Sequence, residues 1–323
     1  MLRFLTRRLV VGIAVVLGVV TLTFVLLHVA PGDPVLRLLG PTATPEQIEA
    51  QRRVLGLDQS IVVQYVRWVS GFLMGDWGIS IATGHQVTTM IWKAWPATAL
   101  LVGLSLTLSY LLGVLVGTVQ AVRRGTRLDR VLTIVTVTLF AIPGYWLGLM
   151  LVMMFTYWLK VLPAFGAAGL DSDFLSGWPQ FVDRIRHLAL PLTTLVLIGI
   201  GGVARFVRGS MVEVLDEPFV VAARARGLPQ RRVILRHGLR NASIPLITLL
   251  GLSLPALFSG AVFIEAVFAW PGVGRVLVEA VQARDFPVVM AATAVSATLV
   301  VIGNLAADVA VAWADPRVRR SDG

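Results

Sequence analysis

The sequence predicts an all-α membrane protein that crosses the bilayer several times. Hydrophobic residues make up 56% of the chain and charged residues only 14%, with a mean hydropathy of +0.81, whereas soluble domains carry about 25% charged residues. Six apolar runs each exceed the roughly 20 residues that a helix needs to span the hydrocarbon core. These predicted spans are 9–30, 96–122, 131–158, 188–210, 243–265 and 288–314.

The first run is interpreted as a retained membrane helix, so that residues 1–30 form the N-terminal transmembrane segment. Arg3, Arg7 and Arg8 precede a stretch of 22 uncharged residues from Leu9 to Ala30. The apolar region of a signal peptide is only about 7–15 residues long. The length of this run therefore favours a membrane span over a cleaved signal.

The distribution of basic residues predicts that both termini lie in the cytoplasm. With the N-terminus inside, the inner segments hold 18 of the 28 Lys and Arg residues, and the outer segments hold 10, spread over longer loops. Cytoplasmic loops of membrane proteins carry the excess of basic residues. The predicted organisation is thus the first helix, an external segment 31–95, a core 96–315 with five helices, and a cytoplasmic tail 316–323.

The external segment 31–95 is too long for a structureless loop, and we expect a small ordered domain there. Turn residues recur at Pro31–Pro34, Gly40–Pro41 and Gly75–Gly78, and Thr44 stands as a helix cap before Pro45. A helix over 44–55 is therefore predicted. The residues leave open whether this domain faces a binding protein or only closes the ends of the helices.

Glycine and proline mark the closest helix contacts and one break. Gly113 and Gly117 form a Gly-x-x-x-Gly pattern in the second span, which allows close helix packing in lipid. The glycines at 199–202 are interpreted in the same way for the fourth span. Pro143-Gly144, near the middle of the third span, predicts a kink whose freed backbone groups are satisfied by neighbours.

Two polar residues fall within the last predicted span. Asn304 and Asp308 lie four residues apart and therefore share one face of the helix. An acid inside a membrane is costly and suggests a functional site by default. Because Asp308 lies about two turns from the inner end, a structural ion pair with Arg or water is favoured over a role in translocation.

The loop 211–242, between the fourth and fifth spans, is the main candidate functional region. Asp216 and Glu217 precede Pro218, which is a helix-start signal, and a short helix is predicted over 219–226. Gly227 is expected to end this helix in the left-handed conformation. A second, basic helix is predicted from about Gln230 to Asn241, before Pro245 opens the fifth apolar run.

Two interpretations of this loop remain open on the residues alone. Phe219 with the small residues Ala222, Ala223 and Ala225 fits a short helix that seats in the groove of a partner. The six arginines of the loop equally fit an amphipathic helix held on anionic lipid. The candidate residues are Glu217, Phe219, Ala222, Ala223, Arg224, Ala225, Arg226, Gly227, Arg236 and Asn241.

The order of these residues resembles the cytoplasmic loop of ABC-importer permeases. The run from Phe219 to Gly227, followed by Arg236–Asn241 and Pro245, is most similar to the first of the two permeases in dipeptide, oligopeptide and nickel uptake systems. The resemblance extends to 31–34, 56–58, 75–78, 268–274, 283–287 and 315–317, so that it covers about residues 6–320. Single motifs are weak, but their order and spacing together are specific.

The resemblance implies a permease that pairs with a second homologous permease, two ATP-binding subunits and an external substrate-binding protein, in the bacterial cytoplasmic (inner) membrane. The loop would be the coupling helix that docks on the ATPase. ATP and Mg²⁺ would bind those subunits, and no cofactor is expected here. Two positions depart from the family: Val221 replaces a glutamate, and Gln86 replaces a proline. Any contact that needs the carboxylate is therefore not expected.

The residues for catalysis are missing from the sequence. The only lysines, Lys93 and Lys160, are followed by Ala94 and Val161, so no phosphate-binding loop exists. The four histidines are dispersed, there is no cysteine, and no Gly-x-Ser-x-Gly elbow occurs. The basic charge lies between apolar runs, which disfavours nucleic acid as a partner. The absence of these motifs fits a non-catalytic subunit, and the resemblance implies a permease for peptides, with nickel complexes or glutathione as alternative cargo. A stand-alone ion-driven carrier is disfavoured because few polar groups fall at mid-membrane.

Overall fold

The computed structural model describes residues 2–40 and 42–314, so the predicted tail and the motif at 315–317 lie outside the described residues. The α-helices are α1 (Leu2–Val29), α2 (Pro34–Leu39), α3 (Pro45–Val54), α4 (Ile61–Leu73), α5 (Val87–Val122), α6 (Arg127–Ala141), α7 (Gly144–Val152), α8 (Trp178–Leu215), α9 (Pro218–Ala225), α10 (Gln230–Arg232), α11 (Arg240–Val267), α12 (Val273–Ala283) and α13 (Phe286–Ala314). Two π-helical segments, Met153–Trp158 and Val233–Leu239, and a 3-10 turn, Ser172–Phe174, complete the helical elements.

The prediction of an all-α polytopic membrane protein is confirmed. Within the described ranges, four helices are long and apolar enough to cross a membrane, and a bent pair formed by α6 and α7 with its π-helical extension makes up to five. The helix α11, at the position of the predicted fifth span, is 28 residues long. The exact count of six spans and the orientation stay predictions.

The kink predicted at Pro143-Gly144 is a complete break. The helix α6 ends at Ala141, α7 begins at Gly144, and the two halves are bent by 104°. Pro143 lacks a backbone N–H and is extended, with φ −59° and ψ 131°, so it cannot continue the hydrogen-bond ladder.

The fourth span also differs from its prediction. The helix α8 covers Trp178–Leu215, 38 residues, and continues past Pro191 without ending there.

The chain forms two compact units, one built around residues 99–270 and a smaller one from 5–98 and 271–301. In the smaller unit, the amphipathic α4 packs on α1 through aromatic side chains. The ring of Tyr65 meets the Phe24 ring edge-on at 5.2 Å, and the Tyr65 hydroxyl lies 2.6 Å from the hydroxyl of Thr21. Val20 and Phe24 are buried in this contact.

The segment between α1 and α5, which is predicted to be external, contains the three helices α2, α3 and α4, so an ordered element is present there as predicted. Thr44 caps α3 in a complete capping box: the backbone N–H of Gln47 donates to the Thr44 hydroxyl, and the backbone N–H of Thr44 donates to the Gln47 side-chain oxygen. Asp33 caps α2 by accepting from the Val35 N–H and is also paired with Arg52. Burial alone would raise the pKa of Asp33, but these hydrogen bonds outweigh it and hold the pKa below its ordinary value.

A carboxylate ties the end of this segment to the loop before α13. Asp285 is 2% exposed and accepts hydrogen bonds from the Ser80 hydroxyl and from the backbone N–H groups of Ile81 (3.1 Å) and Ala82 (3.2 Å). A buried carboxylate is stable only when its oxygens are satisfied in this way. The sequence motif around 283–287 therefore has a structural role within the smaller unit.

In the larger unit, glycines let α5 and α6 approach α8. A Cβ built on Gly117 would lie 2.5 Å from the Ala204 carbonyl oxygen and 2.7 Å from Val207, and one on Gly113 would lie 2.7 Å from Val203. One on Gly201 would lie 2.7 Å from the Thr136 carbonyl oxygen. The predicted close packing at these glycines is thus confirmed, and each position excludes any side chain.

Replacing Gly117 by alanine tests this packing against a control in the same helix. Gly103 has open space where a Cβ would be. We expect Gly117→Ala to lower the free energy of unfolding by about 1–3 kcal/mol because it overpacks the contact. Gly103→Ala should not destabilise and, from helix propensity, gains up to about 1 kcal/mol. Thermal melting of the purified protein in detergent measures both, and equal melting temperatures for the two variants would contradict the packing.

Candidate functional site

The candidate loop begins with a sharp turn from α8 into α9. Asp216 follows the last residue of α8, and Glu217 precedes α9 in an extended conformation, with φ −67° and ψ 144°. Pro218 is the first helical residue, where its missing N–H costs nothing. The helix predicted over 219–226 is confirmed as Pro218–Ala225.

The exit from α9 is a Schellman motif around Gly227. The N–H of Gly227 donates to the Arg224 carbonyl at 2.9 Å, and the N–H of Leu228 donates to the Ala223 carbonyl at 3.3 Å. Gly227 has φ +77°, which confirms the predicted left-handed conformation. No Cβ is tolerated there without strain, so the direction of the chain after α9 depends on this glycine.

The helix α9 has an inner and an outer face. Val220 and Ala223 are fully buried in a cluster that includes Met211, Leu215 and Val233. The expectation that Ala223 offers a partner close approach is therefore wrong, because its side chain packs within this chain. The outer face carries the exposed side chains of Phe219, Val221, Ala222, Arg224, Ala225 and Arg226.

The segment after α9 differs from the predicted second helix. It starts at Gln230 as expected, but it passes through the π-helical turns Val233–Leu239 directly into α11. Helical structure therefore continues beyond Asn241 and through position 245. Gly238 lies in the π-helical part, where a Cβ would come within 3.1 Å of Met211, so the widened turn brings this backbone against α8.

The charged residues of the loop lie mainly on its surface. Arg124 and Asp216 form an exposed ion pair at 3.2 Å, which contributes little by itself. The Arg226 side chain donates to the Ala222 carbonyl at 3.3 Å, and the Asn241 amide donates to the His237 carbonyl at 2.6 Å. Exposed side chains include Glu217, Arg231, Arg232, Arg236 and Asn241.

An ion pair that was not predicted lies beside this loop. The Asp129 carboxylate, with its side chain 6% exposed, accepts two hydrogen bonds of 2.9 Å from the Arg208 guanidinium. The Gly125 N–H (3.0 Å) and the Thr133 hydroxyl (3.2 Å) occupy its remaining lone pairs. Asp129 is the only acid in the basic segment 123–130, and that is the one sequence signal for its role.

The last predicted span carries the polar pair Asn304 and Asp308 on α13. Asn304 and Asp308 lie one turn apart on α13, and both side chains are partly exposed. Asp308 has a polar or electrostatic interaction within the chain.

Comparison with known proteins defines the class to which this fold and loop belong. Residues 109–320 match the model of the binding-protein-dependent transport system inner membrane component, and residues 1–102 match the N-terminal model of the corresponding membrane component. The chain therefore belongs to the inner membrane components of binding-protein-dependent transport systems. It is a multi-pass permease subunit of an ABC importer and has no catalytic role of its own.

Similar proteins match along nearly their whole length. The oligopeptide transport system permease protein AppB of Bacillus subtilis (strain 168) is 36% identical over 98% of this chain and 99% of its own. The probable D,D-dipeptide transport system permease protein DdpB of Escherichia coli (strain K12) is 39% identical, with 96% of each chain covered. The dipeptide transport system permease protein DppB of the same strain is 34% identical, with 99% of each covered.

The assignment of the buried and exposed faces of α9 can be tested by placing glutamate at two adjacent positions, Ala222 and Ala223. Ala223→Glu places a charge in a fully buried site, so we expect it to lower the melting temperature and the amount of folded protein in the membrane. Ala222→Glu, on the exposed face, should leave both close to the wild-type values. Quantitative immunoblotting and melting curves provide the comparison, and normal folding of Ala223→Glu would show that the inner face is assigned wrongly.

Proposed function

We propose that this chain forms half of the translocation pathway of an ATP-driven peptide importer in the bacterial cytoplasmic membrane. It would pair with a second permease, two ATP-hydrolysing subunits and an external substrate-binding protein. The family implies partners of these kinds in general. Peptides are favoured as cargo because the similar proteins named above are permeases of oligopeptide, D,D-dipeptide and dipeptide systems.

The observation that carries this proposal is the two-faced helix α9. Its inner face, Val220 and Ala223, is fixed to the α8 core, while Phe219 is 45% exposed and Val221 is 52% exposed. A short rigid helix with an exposed aromatic residue is suited to insertion in a groove. If a groove of the ATPase held the exposed side chains while the core holds Val220 and Ala223, a movement of the ATPase would be passed through α9 to α8.

The competing interpretation, a helix lying on the lipid surface, is less well supported by this geometry. Interfacial helices bury a broad apolar face in the bilayer. Only eight residues form α9, and two of its apolar side chains are already buried in the chain. The exposed remainder is one aromatic and one aliphatic side chain beside alanines, which is enough for a groove but narrow for a membrane surface.

We further propose six spans, with α11 as the fifth and both termini in the cytoplasm. The basis is the asymmetry of 18 inner against 10 outer basic residues and the helical structure at each apolar run, which at the third run is the bent pair of α6 and α7. The loop with α9 would then lie on the cytoplasmic side, where ATP is available. The external segment with α2, α3 and α4 would lie on the side of the binding protein.

Single cysteines test this topology, and the natural chain has none to remove. Arg127 and Gln230 are exposed on the proposed inner side, and Ala50 and Ser176 on the outer side. In intact cells, or in spheroplasts of a bacterium with an outer membrane, an impermeant thiol reagent should label only Ala50→Cys and Ser176→Cys. Labelling of all four after permeabilisation is the control for reactivity, and the reverse pattern in intact cells would refute the orientation.

Truncation of the exposed aromatic side chain tests docking. Phe219→Ala should reduce copurification of the ATPase and uptake by about tenfold or more, because a buried aromatic side chain contributes about 1.5–3 kcal/mol. Leu235→Ala is the control, since Leu235 is also half-exposed, at 49%, in the same loop. Permease abundance must stay normal in both variants.

A charge-removal variant distinguishes docking from lipid binding. Replacement of Arg224, Arg226, Arg231 and Arg232 together by Gln should affect uptake less than Phe219→Ala if α9 docks in an apolar groove. The opposite order, with normal uptake by Phe219→Ala and a strong loss in the four-fold variant, would support the lipid-surface interpretation. Uptake of a radiolabelled dipeptide and ATPase copurification are measured for both.

A further inference from the structure

The larger unit also contains a polar cavity of about 330 Å³ beside the first turns of α8. Its residues are distant in the sequence from the loop 211–242. One side of the cavity is formed by the π-helical segment Met153–Trp158 and the residues that follow it, and the other side by residues 183–187 of α8. Its polar lining consists of Thr156, Lys160, Asp183, Arg186 and His187. This volume is far larger than one water molecule needs.

The backbone around the cavity departs from regular helix. The π-helical turns end with the Leu159 N–H donating to the Met154 carbonyl (3.0 Å) and the Val161 N–H to the Phe155 carbonyl (2.9 Å). Lys160 then adopts a left-handed conformation with φ 55°. Both π-helical turns and left-handed residues other than glycine concentrate at binding sites. The irregularity places a lysine on the cavity wall.

The hydrogen-bonding groups of the cavity leave positive charge unused. The Asp183 carboxylate already accepts the Gly169 N–H at 2.8 Å and lies 3.3 Å from Nδ1 of His187. One nitrogen of Arg186 donates to the Val161 carbonyl at 2.8 Å, and its other donors are available. Lys160 has no partner among the described residues, since no ion pair or hydrogen bond of its side chain occurs there.

Two neutral groups add to this pattern. The Thr156 hydroxyl is buried and makes no hydrogen bond within the described part of the chain. His187 is 8% exposed, and its Nδ1 contacts two acceptors, the Asp183 carbonyl and carboxylate. Because Nδ1 faces two acceptors, it carries a proton, and Nε2 is the ring nitrogen left for a ligand. Two cations, one hydroxyl and one acceptor suit an anion that also carries hydroxyl groups.

The two chain segments that carry the cavity lining also expose apolar and aromatic side chains, which together are called the aromatic rim. The side chains of Tyr157 and Trp158 are 66% and 69% exposed, and Leu159 and Val161 are about half exposed. Trp178, at the start of α8, is 73% exposed. Tyr and Trp concentrate at the level of lipid headgroups. A ligand with an anionic head and acyl chains would use both the cations and this rim, whereas a soluble anion would use only the cations.

We propose that this cavity binds the headgroup of an anionic phospholipid, of the phosphatidylglycerol type. The phosphate pairs with Lys160 and Arg186, since basic pockets between membrane helices recognise such headgroups. A headgroup hydroxyl donates to Nε2 of His187, and the acyl chains lie along the aromatic rim. The inference rests on the membrane location of the chain and is independent of the transported cargo.

Lipid binding is tested on the purified full-length permease in detergent, with phosphatidylglycerol, phosphatidylcholine and glycerol 3-phosphate as probes. We expect phosphatidylglycerol to raise the melting temperature saturably and the other two to have no comparable effect. A shift of equal size with glycerol 3-phosphate would overturn the lipid assignment in favour of a soluble anion. An equal shift with phosphatidylcholine would show that no anion is recognised.

Variants locate the site. Lys160→Asn tolerates the left-handed conformation, and combined with Arg186→Gln it should weaken phosphatidylglycerol binding by about tenfold or more. Arg184→Gln is the matched control, because Arg184 is exposed two residues from Arg186 and does not line the cavity. Equal weakening by Arg184→Gln, or unchanged binding in the double variant, would refute the site. If the double variant does not fold, Thr156→Val should weaken binding, and unchanged binding there would overturn the proposal instead.

Discussion

The ion pair between Asp129 and Arg208 joins α6 to α8 at the end of the larger unit from which the loop 211–242 extends. Its two 2.9 Å hydrogen bonds join the first turn of α6 to the part of α8 that leads into α9. The carboxylate is 6% exposed and has four donors, so desolvation is compensated by full satisfaction. Loss of Arg208 alone would leave the buried Asp129 carboxylate without its cationic partner, whereas the Arg208 side chain is 33% exposed and could reach water if Asp129 were lost.

The long helix α8 contacts α5, α6 and α9, and the ion pair is one of the contacts that hold it in place. Toward α5 and α6 it offers small or β-branched residues, and the facing Gly113 and Gly117 let the backbones approach. Nearer its end, Val207, Met211 and Leu215 pack with the inner face of α9. A helix held by close backbone contact and an ion pair tilts as a rigid body more readily than it bends. Movement of α9 would therefore reach the helices that contact α8.

Sequence signals correctly predicted the features that depend on one residue and its immediate neighbours in the chain. The capping box at Thr44, the break at Pro143 and the left-handed Gly227 each follow from one side chain and its neighbours. The length of α8 was not predictable from apolar runs, because its first ten residues mix apolar side chains with the charged Asp183, Arg184 and Arg186 and so fall outside the apolar run. A single helix can project from a bilayer, and hydropathy detects only its apolar part.

Tertiary contacts decided the features that the sequence left undetermined. Alanines occur on both sides of α9, at 222, 223 and 225, so composition could not identify the buried one. Asp129 and Arg208 are 79 residues apart in the chain, and neither has a local pattern that names the other. The π-helical turns at Val233–Leu239 likewise arise where Gly238 meets α8, and their cause is packing rather than propensity.

The substitution of Val221 for the glutamate of related permeases has a consequence for the docking partner. Val221 is 52% exposed on the same helix as the exposed Phe219, and Arg224 and Arg226 lie beside them on the surface. Phe219 and Val221 are two residues apart and therefore lie on different sides of the helix, so Phe219 is the one exposed aromatic anchor of α9. With no carboxylate at 221, the exposed ionic side chain of α9 itself is Arg224, and Arg226 follows directly after the helix. A matching surface would be apolar where it receives Phe219 and acidic near the two arginines, so charge complementarity would orient the ATPase and aromatic burial would retain it.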